Sequence, residues 1–304
     1  MAALRTYFDT DAASVLAESE DRRLVIDSVR RRQIEPIVSD SLIEEVLLTS
    51  NTGLRRTIAA TVLCLLGSRH VLAPVSRQVR WSCANFAAGD TRFVPFQSED
   101  EDRARRFLIR PSELTVDLIS LAHEKRSREA QRWDDMHARG RAIFQERVAR
   151  EGGKLPTPTE YLRNVESEFS KDVVRNLVPE SLANRLAGRE VEIIRWNPIL
   201  CAYLELMVLA IHRHAVEPPN VASKKGPKWP DYFHGAYCCA ADIFVTNDSR
   251  FRRALEQHSE LGTAGHYAVM NLNDFVAALK GGTAMRLGRA LDFSWRRLLP
   301  AAVS

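Results

Sequence analysis

Short apolar runs alternate with amphipathic stretches in the first and last thirds of the chain. Apolar runs of strand length occupy residues 6–8, 36–38, 93–96, 243–245 and 267–270. Most of them lead into a stretch whose apolar residues recur at helical spacing. Strands that alternate with helices in this way favour a parallel sheet covered by helices on both faces. The pattern therefore predicts an α/β fold, a parallel-sheet α/β/α sandwich.

The middle of the chain has a different pattern. Arg and Glu recur there at helical spacing, as in LISLAHEKRSREAQRWDDMHARGRAIFQERVAR. A break with Pro and Gly, EGGKLPTPTEY, then separates this stretch from two shorter amphipathic helices. We therefore expect a mostly helical insertion at 109–197 between two parts of the core, 1–108 and 198–282, with a C-terminal tail at 283–304.

Composition places the chain among soluble globular proteins. Of its 304 residues, 45% are hydrophobic and 27% are charged. No apolar run approaches the roughly 20 residues that cross a bilayer, and the N-terminus lacks the apolar segment of a secretory signal. Five scattered cysteines without a C-x-x-C pair predict reduced thiols rather than a zinc site. We expect a cytoplasmic protein with no membrane partner.

Net charge changes this picture little. A net charge of +4 is compatible with a polyanionic partner, but many proteins that bind no nucleic acid are equally basic. Evidence for function therefore has to come from particular side chains and their placement.

Four acids stand where a parallel sheet gathers its ligands. Asp9 and Asp248 follow predicted strands, Asp231 opens a helix directly after Pro230, and Glu45 lies in the helix after the second strand. The carboxyl ends of parallel strands meet at one edge, so these carboxylates can converge. Clustered carboxylates repel one another unless a cation or a raised pKa relieves the conflict. Oxygen ligands favour Mg²⁺ or Mn²⁺, which makes the cluster a metal-site hypothesis.

Each acid also has a purely structural interpretation. Asp248 and Asp231 are suited to capping the helices that follow them. Glu45 could be one of two solvated glutamates, and Asp9 could serve the dipole of the first helix. No single acid is persuasive, and the hypothesis depends on their joint placement.

Four segments together resemble a known family. YFDTDAAS, IVSDSLIEEV, PDYFHGAYCCAADIFVTNDSRF and HYAVMNLNDFVAAL resemble, in this order, the successive motifs of PIN-domain nucleases. The resemblance covers about 1–108 and 198–280 and implies a PIN-like sandwich. The long helical block lies outside it, so Asp231 follows Glu45 at several times the spacing in compact members.

The resemblance implies roles for particular residues. Asp9, Glu45, Asp231 and Asp248 would form the metal-binding and catalytic acidic set. Thr246 and Asn247 fall in the turn that orients this set.

The implied activity is that of a Mg²⁺- or Mn²⁺-dependent endonuclease. A metal-activated water would hydrolyse the phosphodiester, with RNA favoured over DNA as the substrate. Basic side chains would hold the nucleic acid, namely Lys224, Lys225 and Lys228 beside Trp229, and Arg250. These residues could equally face solvent. The resemblance also admits a toxin or defence protein with an antitoxin or other protein partner, and a homodimer.

Two other functions stay open. The chain could be a non-catalytic PIN-like module that binds RNA or a protein. FDTDAAS also resembles the D-x-D opening of haloacid-dehalogenase-type phosphatases, which would make Asp9 a nucleophile and Asp11 a general acid. The turn VTND lacks the Gly expected before the late acid of that family.

Overall fold

The fold is built on a five-stranded, all-parallel sheet. The computed structural model describes residues 3–90, 97–99, 101–111, 116–150, 152–153, 155–216, 229–261 and 267–282. The strand order is β3-β2-β1-β4-β5. The predicted parallel α/β architecture is confirmed. The strands are β1 (Leu4–Phe8), β2 (Ile34–Ser39), β3 (Val71–Leu72), β4 (Ile243–Val245) and β5 (Ala268–Met270).

Helices account for most of the remaining described residues. Before the long helical block they are α1 (Thr10–Glu18), α2 (Arg22–Arg30), α3 (Asp40–Leu48), α4 (Thr52–Leu66), α5 (Val75–Ala87) and α6 (Glu101–Ile109). The block itself contains α7 (Val116–Arg150), α8 (Pro158–Leu177), α9 (Glu180–Arg185) and α10 (Glu190–Trp196). After it come α11 (Pro198–Val216), α12 (Trp229–Gly235), a 3₁₀ helix (Ala236–Ala240), α13 (Ser249–Leu261) and α14 (Leu272–Lys280).

The central strand pair joins the two ends of the sequence. Strand β1 pairs with β4, with Tyr7 opposite Phe244 and Phe8 opposite Val245. The pairing extends one step beyond β1, because the Asp9 N–H donates to the Val245 carbonyl at 3.1 Å. Since β1, β2 and β4 run in parallel, the residues that follow them lie at the same edge of the sheet.

One strand differs from the sequence analysis. The edge strand β3 has only two residues, with Val71 opposite Val38 of β2, and it is too short to leave a pattern in the sequence. The strand expected at 93–96 lies outside the described residues. Gln97, just after it, makes an isolated antiparallel bridge to Leu72.

The long helical block packs into the main core. Phe144 of α7, Tyr161 of α8 and Ile193 of α10 belong to one buried hydrophobic cluster with Leu206 of α11 and Phe244 of β4. A continuous core of this kind resists separation of the block from the sheet. The division into a core and an insertion stays a prediction about the chain's organisation.

Helix α11 is the central helix of this core. By length and composition alone it could cross a membrane, with a mean hydropathy of 1.5 over an 18-residue window. Of that window, 61% is buried inside the fold, and α11 packs against α7, α8 and the 3₁₀ helix. The sequence predicts this segment as a largely buried helix, and Glu205 and Arg213 interrupt its apolar run. Its burial is that of a core helix.

A buried ion pair between Glu205 of α11 and His258 of α13 connects these two helices. His258 Nε2 lies 2.8 Å from Glu205 Oε2, and both side chains are almost completely buried. His258 Nδ1 lies 2.8 Å from the Tyr267 hydroxyl and 3.9 Å from Cys238 Sγ. Burial alone would lower the pKa of His258, but the hydrogen bonds and charges of Cys238 and Glu205 outweigh it and raise the pKa to about 9.

The raised pKa makes part of the fold's stability dependent on pH. The stabilisation by His258 should be complete below the unfolded pKa of about 6.5 and lost as pH rises through about 9. We expect the difference in unfolding free energy between wild type and His258→Gln to fall over this range by on the order of 3 kcal/mol. Urea denaturation from pH 6 to pH 9.5 measures it.

His212→Gln provides a matched control. Burial lowers the pKa of His212, partly offset by a hydrogen bond with the Pro156 carbonyl, so its contribution changes only below about pH 6.5. Its stability difference should be flat between pH 7 and pH 9. A flat difference for His258→Gln over the same range would contradict a charged buried pair.

A close approach of two helices requires glycine at position 140. A methyl group at Gly140 of α7 would overlap the side chain of Ile211 in α11. We therefore expect Gly140→Ala to lower the unfolding free energy by about 1–3 kcal/mol, although Ala favours a helix by about 1 kcal/mol. Gly53→Ala in α4, where the nearest atom is 3.4 Å away, should instead be stabilising. Chemical denaturation of both variants measures the two changes in unfolding free energy. If Gly140→Ala raises the unfolding free energy, the close packing of α7 against α11 is contradicted.

Candidate functional site

Asp9, the first acid of the site, directly follows β1 and is buried. Asp9 is 5% exposed, and its Oδ1 accepts the Ala12 N–H at 2.8 Å, which makes it the N-cap of α1. Burial raises the pKa of Asp9 to about 7, against the opposing effect of hydrogen bonds from Thr246 and Ala12. A carboxyl group with a pKa near neutrality in a polar cluster is typical of functional sites.

The turn after β4 connects the acids of two neighbouring strands. Thr246 is fully buried, its side chain hydrogen-bonds to Asp9, and its Oγ1 accepts the Asp248 N–H at 3.2 Å. Asn247 Oδ1 accepts the Leu272 N–H at 2.9 Å and so ties the turn to α14. The two turn residues therefore fix the backbone on which Asp248 stands.

Asp248 itself starts a helix. Its Oδ1 accepts the N–H groups of Arg250 at 2.7 Å and Phe251 at 3.2 Å, in the first turn of α13. The Arg250 guanidinium lies 3.2 Å from Asp248 Oδ2. Burial would raise the pKa of Asp248, but these hydrogen bonds and the charge of Arg250 lower it. Arg250, a predicted nucleic-acid contact, is thus an ion-pair partner of Asp248, and the capping role foreseen for Asp248 is present.

Glu45 is held between two cations. Ser39 caps α3 by accepting the Leu42 N–H at 3.3 Å, and Glu45 follows one turn and a half later. Arg126 Nη2 donates to Glu45 Oε1 at 2.5 Å, and His234 Nε2 lies 3.1 Å from Oε2. Burial would raise the pKa of Glu45, but the charges of His234 and Arg126 contribute to lowering it to about 2.

His234 lies among three of the four predicted acids. It is 2% exposed, and its Nδ1 lies 2.7 Å from the Tyr7 hydroxyl. Its contact with Glu45 is an ion pair when the imidazole is protonated. Burial would lower the pKa of His234, but the charges of Glu45, Asp9 and Asp231 raise it. The charges of these three acids thus act on one imidazole, with Glu45 in direct contact with it.

Asp248 lies at the same edge of the sheet, at the start of α13 rather than around His234. Its charge acts on Asp11, whose pKa is raised by burial and by the Asp248 carboxylate. Thr246 links Asp248 back to Asp9. The four acids therefore form two connected groups, one around His234 and one at the start of α13.

Sequence reasoning missed three functional candidates. His234 stands three residues after Asp231 on α12, so helical spacing was the available signal. Tyr7 lies inside β1, where an aromatic residue indicates only core packing, yet its hydroxyl joins His234 to Ser39 with both contacts at 2.7 Å. Arg126 lies 81 positions from Glu45, and nothing local to either residue indicates their contact.

A cavity of about 750 Å³ opens beside Glu45 and His234. It lies between α3, α5, α7, α8, α11 and α12, and its volume is within the range of small-molecule sites. Asp9, Asp231 and Asp248 are not among its lining residues. Its lining includes the cations Arg80, Lys125, Arg126 and Arg139 and the acids Glu44, Glu168 and Asp172.

The side chains as arranged do not fit a divalent metal. Among the described residues, no group of three His, Cys, Asp or Glu side chains is placed to hold an ion. The contacts explain this, since Glu45 is ion-paired to Arg126 and His234, and Asp248 caps α13 beside Arg250. The predicted contacts Lys224, Lys225 and Lys228 lie outside the described residues.

Replacement of Asp9 tests its raised pKa. The folded pKa of about 7 exceeds the ordinary value of 3.8, so ionisation of Asp9 destabilises the fold as pH rises through this range. We expect Asp9→Asn to exceed wild type in unfolding free energy by on the order of 2–4 kcal/mol at pH 8.5 and to match it near pH 4. Urea denaturation at both pH values measures the difference.

Glu18→Gln, which neutralises an exposed acid on the same helix, should change stability by less than about 0.5 kcal/mol. If Asp9→Asn is destabilising at pH 8.5, Asp9 is not an acid whose burial is costly.

Neither protein-family models nor curated proteins nor solved structures give a match to this chain. Evidence for its function therefore comes from the motifs of the sequence and the geometry of this edge.

Proposed function

We propose that the chain is a PIN-type nuclease that hydrolyses phosphodiester bonds in RNA, with Mg²⁺ or Mn²⁺ as its cofactor. The observation that carries the proposal is geometric: Asp9 follows β1 and Asp248 follows β4 at one carboxyl edge of a parallel sheet, and Glu45 reaches His234 at 3.1 Å. The segments that resemble PIN-nuclease motifs contain all of these acids. Thr246 and Asn247 support Asp248.

The burial of ionisable side chains at this edge is unfavourable for folding, which supports a functional role. Asp9 and His234 are buried polar groups, and burial of ionisable groups is unfavourable unless they are paired. Hydrophobic side chains at these positions would stabilise the sheet edge at lower cost. Perturbed, interacting acids and bases of this kind occur preferentially at active sites.

The cofactor is proposed on the resemblance and on the donor atoms. The four predicted acids offer oxygen donors, the kind that Mg²⁺ and Mn²⁺ prefer, but their arrangement among the described residues would have to change to hold an ion. Such an ion would supply an activated water and would offset charge on the reacting phosphate. Glu45 would first have to lose Arg126, because that guanidinium already occupies one carboxylate oxygen.

The remaining predictions concern substrate and partners. RNA is favoured over DNA on the resemblance, and Lys224, Lys225, Lys228 and Arg250 stay predicted nucleic-acid contacts. An antitoxin or other protein partner, a homodimer and a cytoplasmic location likewise stay predictions.

A non-catalytic binding module is the second candidate. The pairing of both Glu45 oxygens with cations favours it, because a side chain satisfied in this way needs no metal. The phosphatase alternative has less support. A nucleophilic Asp must present an oxygen to the phosphate, whereas Asp9 is 5% exposed and caps α1.

Metal-dependent cleavage tests the proposal. Wild type, Asp9→Asn/Asp248→Asn and the control Glu35→Gln, which alters an exposed acid on β2, are incubated with a panel of labelled RNAs in Mg²⁺, Mn²⁺ or EDTA. We expect cleavage by wild type and Glu35→Gln only with metal. The double variant should lose about 100-fold or more, since loss of even an outer-shell partner of a metal costs roughly 10–100-fold.

Two results would redirect the assignment. RNA binding without cleavage under every metal condition would favour the binding module. A phosphorylated aspartate trapped at Asp9 would favour the phosphatase.

A further inference from the structure

The C-terminal end of α2 carries three consecutive arginines. Arg30, Arg31 and Arg32 are all exposed, and they are called here the arginine patch. With two more arginines at the start of the helix, they give the segment 22–33 five arginines against one aspartate, a net charge of +4. The formal net charge of the whole chain is also +4. The positive excess of the protein is therefore matched by this one segment.

Little of this charge is neutralised within the fold. Asp27 lies 3.3 Å from Arg30 and 3.9 Å from Arg23, so two guanidinium groups share one carboxylate. Arg31 and Arg32 make no side-chain hydrogen bond or ion pair with any residue in the described part of the chain. Their guanidinium groups are therefore available to a ligand.

The backbone of Arg32 is a second, independent feature of the patch. Its φ of 57° lies in the left-handed region, and no other described residue except glycine has a positive φ. The Arg32 N–H donates to the Val29 carbonyl at 3.0 Å, and the Gln33 N–H donates to the Ser28 carbonyl at 2.9 Å. These are the hydrogen bonds of a Schellman turn, in which glycine is the usual residue at the left-handed position.

The arginine at this position is unfavourable for folding. A side chain in the left-handed region is strained, and the exposed Arg32 guanidinium makes no contact that offsets the strain. A cation near a helix C-terminus is favourable, but Arg30, in the last turn of α2, already provides one. A strained residue with an exposed and unpaired charge points to a binding role.

The arginine patch lies at the opposite edge of the sheet from the candidate site. Strand β2 begins at Ile34, two residues after Arg32, and ends at Ser39, which caps the helix that carries Glu45. A strand of six residues spans about 20 Å. A ligand on the patch is therefore separate from a ligand at the acids, and only an extended molecule reaches both.

We propose that the arginine patch binds the phosphate backbone of single-stranded RNA, away from the candidate site. The guanidinium group has paired N–H donors that match two oxygens of a phosphate, and it stays charged at physiological pH. Consecutive exposed arginines complement a chain of closely spaced phosphates. Contacts to phosphate fix the position of the strand but read no base, so this binding is independent of sequence. The choice of RNA rests on the proposed function, whereas the phosphate contact rests on the patch alone.

The first experiment measures RNA binding without metal and without turnover. Fluorescence anisotropy in EDTA follows a labelled, single-stranded 2′-O-methyl RNA with wild type, Arg31→Gln/Arg32→Gln and the control Arg163→Gln/Arg175→Gln. The control removes the same charge from two exposed arginines of α8 that have no ion-pair partner among the described residues. In about 0.1 M salt we expect the patch variant to bind about 10–25-fold more weakly, since each phosphate contact contributes roughly 5-fold. The control should stay within about 2-fold of wild type, because distant exposed charges are screened.

The salt dependence of binding counts the phosphate contacts. The logarithm of the association constant falls with the logarithm of the salt concentration by about 0.7 for each phosphate contacted on a single strand. The slope for Arg31→Gln/Arg32→Gln should therefore be less steep than that of wild type by about 1.4, and the slope for the control should be unchanged. Single-stranded DNA of the same sequence should show the same difference, because the patch contacts only the backbone.

Arg32→Gly separates binding from folding. Glycine relieves the strained backbone, so the melting temperature should rise by about 1–2 °C while RNA affinity falls about 5-fold. Arg31→Gly is the matched control, because Arg31 stands at the same helix end with an ordinary φ of −77°. It should weaken binding to a similar extent but lower the melting temperature. Arg32→Lys keeps the charge and should retain most of the RNA affinity.

The outcomes separate this inference from the nuclease proposal. Equal RNA affinities of the patch variant and its control, an unchanged salt slope, or no RNA binding by wild type overturns the patch, even if RNA is cleaved in other assays. Patch-dependent binding to phosphatidylserine–phosphatidylcholine vesicles, with RNA binding unchanged, assigns the patch to a membrane surface and overturns it as well. A patch-dependent RNA affinity without metal-dependent cleavage by wild type supports the patch and counts against the nuclease.

Discussion

The parallel pairing of β1 with β4 is the constraint on which the rest of the structure depends. It brings the first strand of the chain against a strand more than 230 positions later, with Tyr7 opposite Phe244. The rings of these two residues stack at 4.9 Å, so packing reinforces the hydrogen-bonded ladder. The last step of the ladder, from the Asp9 N–H to the Val245 carbonyl, sets Asp9 beside Thr246. Without this pairing, Asp9 after β1 and Asp248 after β4 would not lie at the same edge of the sheet.

The chemistry of that edge follows from how its buried charges are balanced. Asp248 is stabilised by α13 and Arg250, and Glu45 by His234 and Arg126. Asp9 caps α1, but its burial keeps its pKa raised. At Glu45 and Asp248, cationic side chains and a helix N-terminus supply the positive charge that a bound metal would supply in a metal site. The edge therefore holds the predicted acids in an arrangement in which Glu45 and Asp248 already have cationic partners.

Local patterns in the sequence determined the elements and the placement of the acids. The strand Ile243–Val245, the cap at Ser39 and the sheet-edge position of Asp9 could all be inferred, because burial and capping leave signals within a few residues. Tertiary structure alone decided the two-residue strand β3, the burial of His234 against Tyr7, and the partner of Glu45. The physical reason is range: an ion pair between residues 81 positions apart leaves no periodicity or motif in either segment, and only the packed fold brings its two charges together.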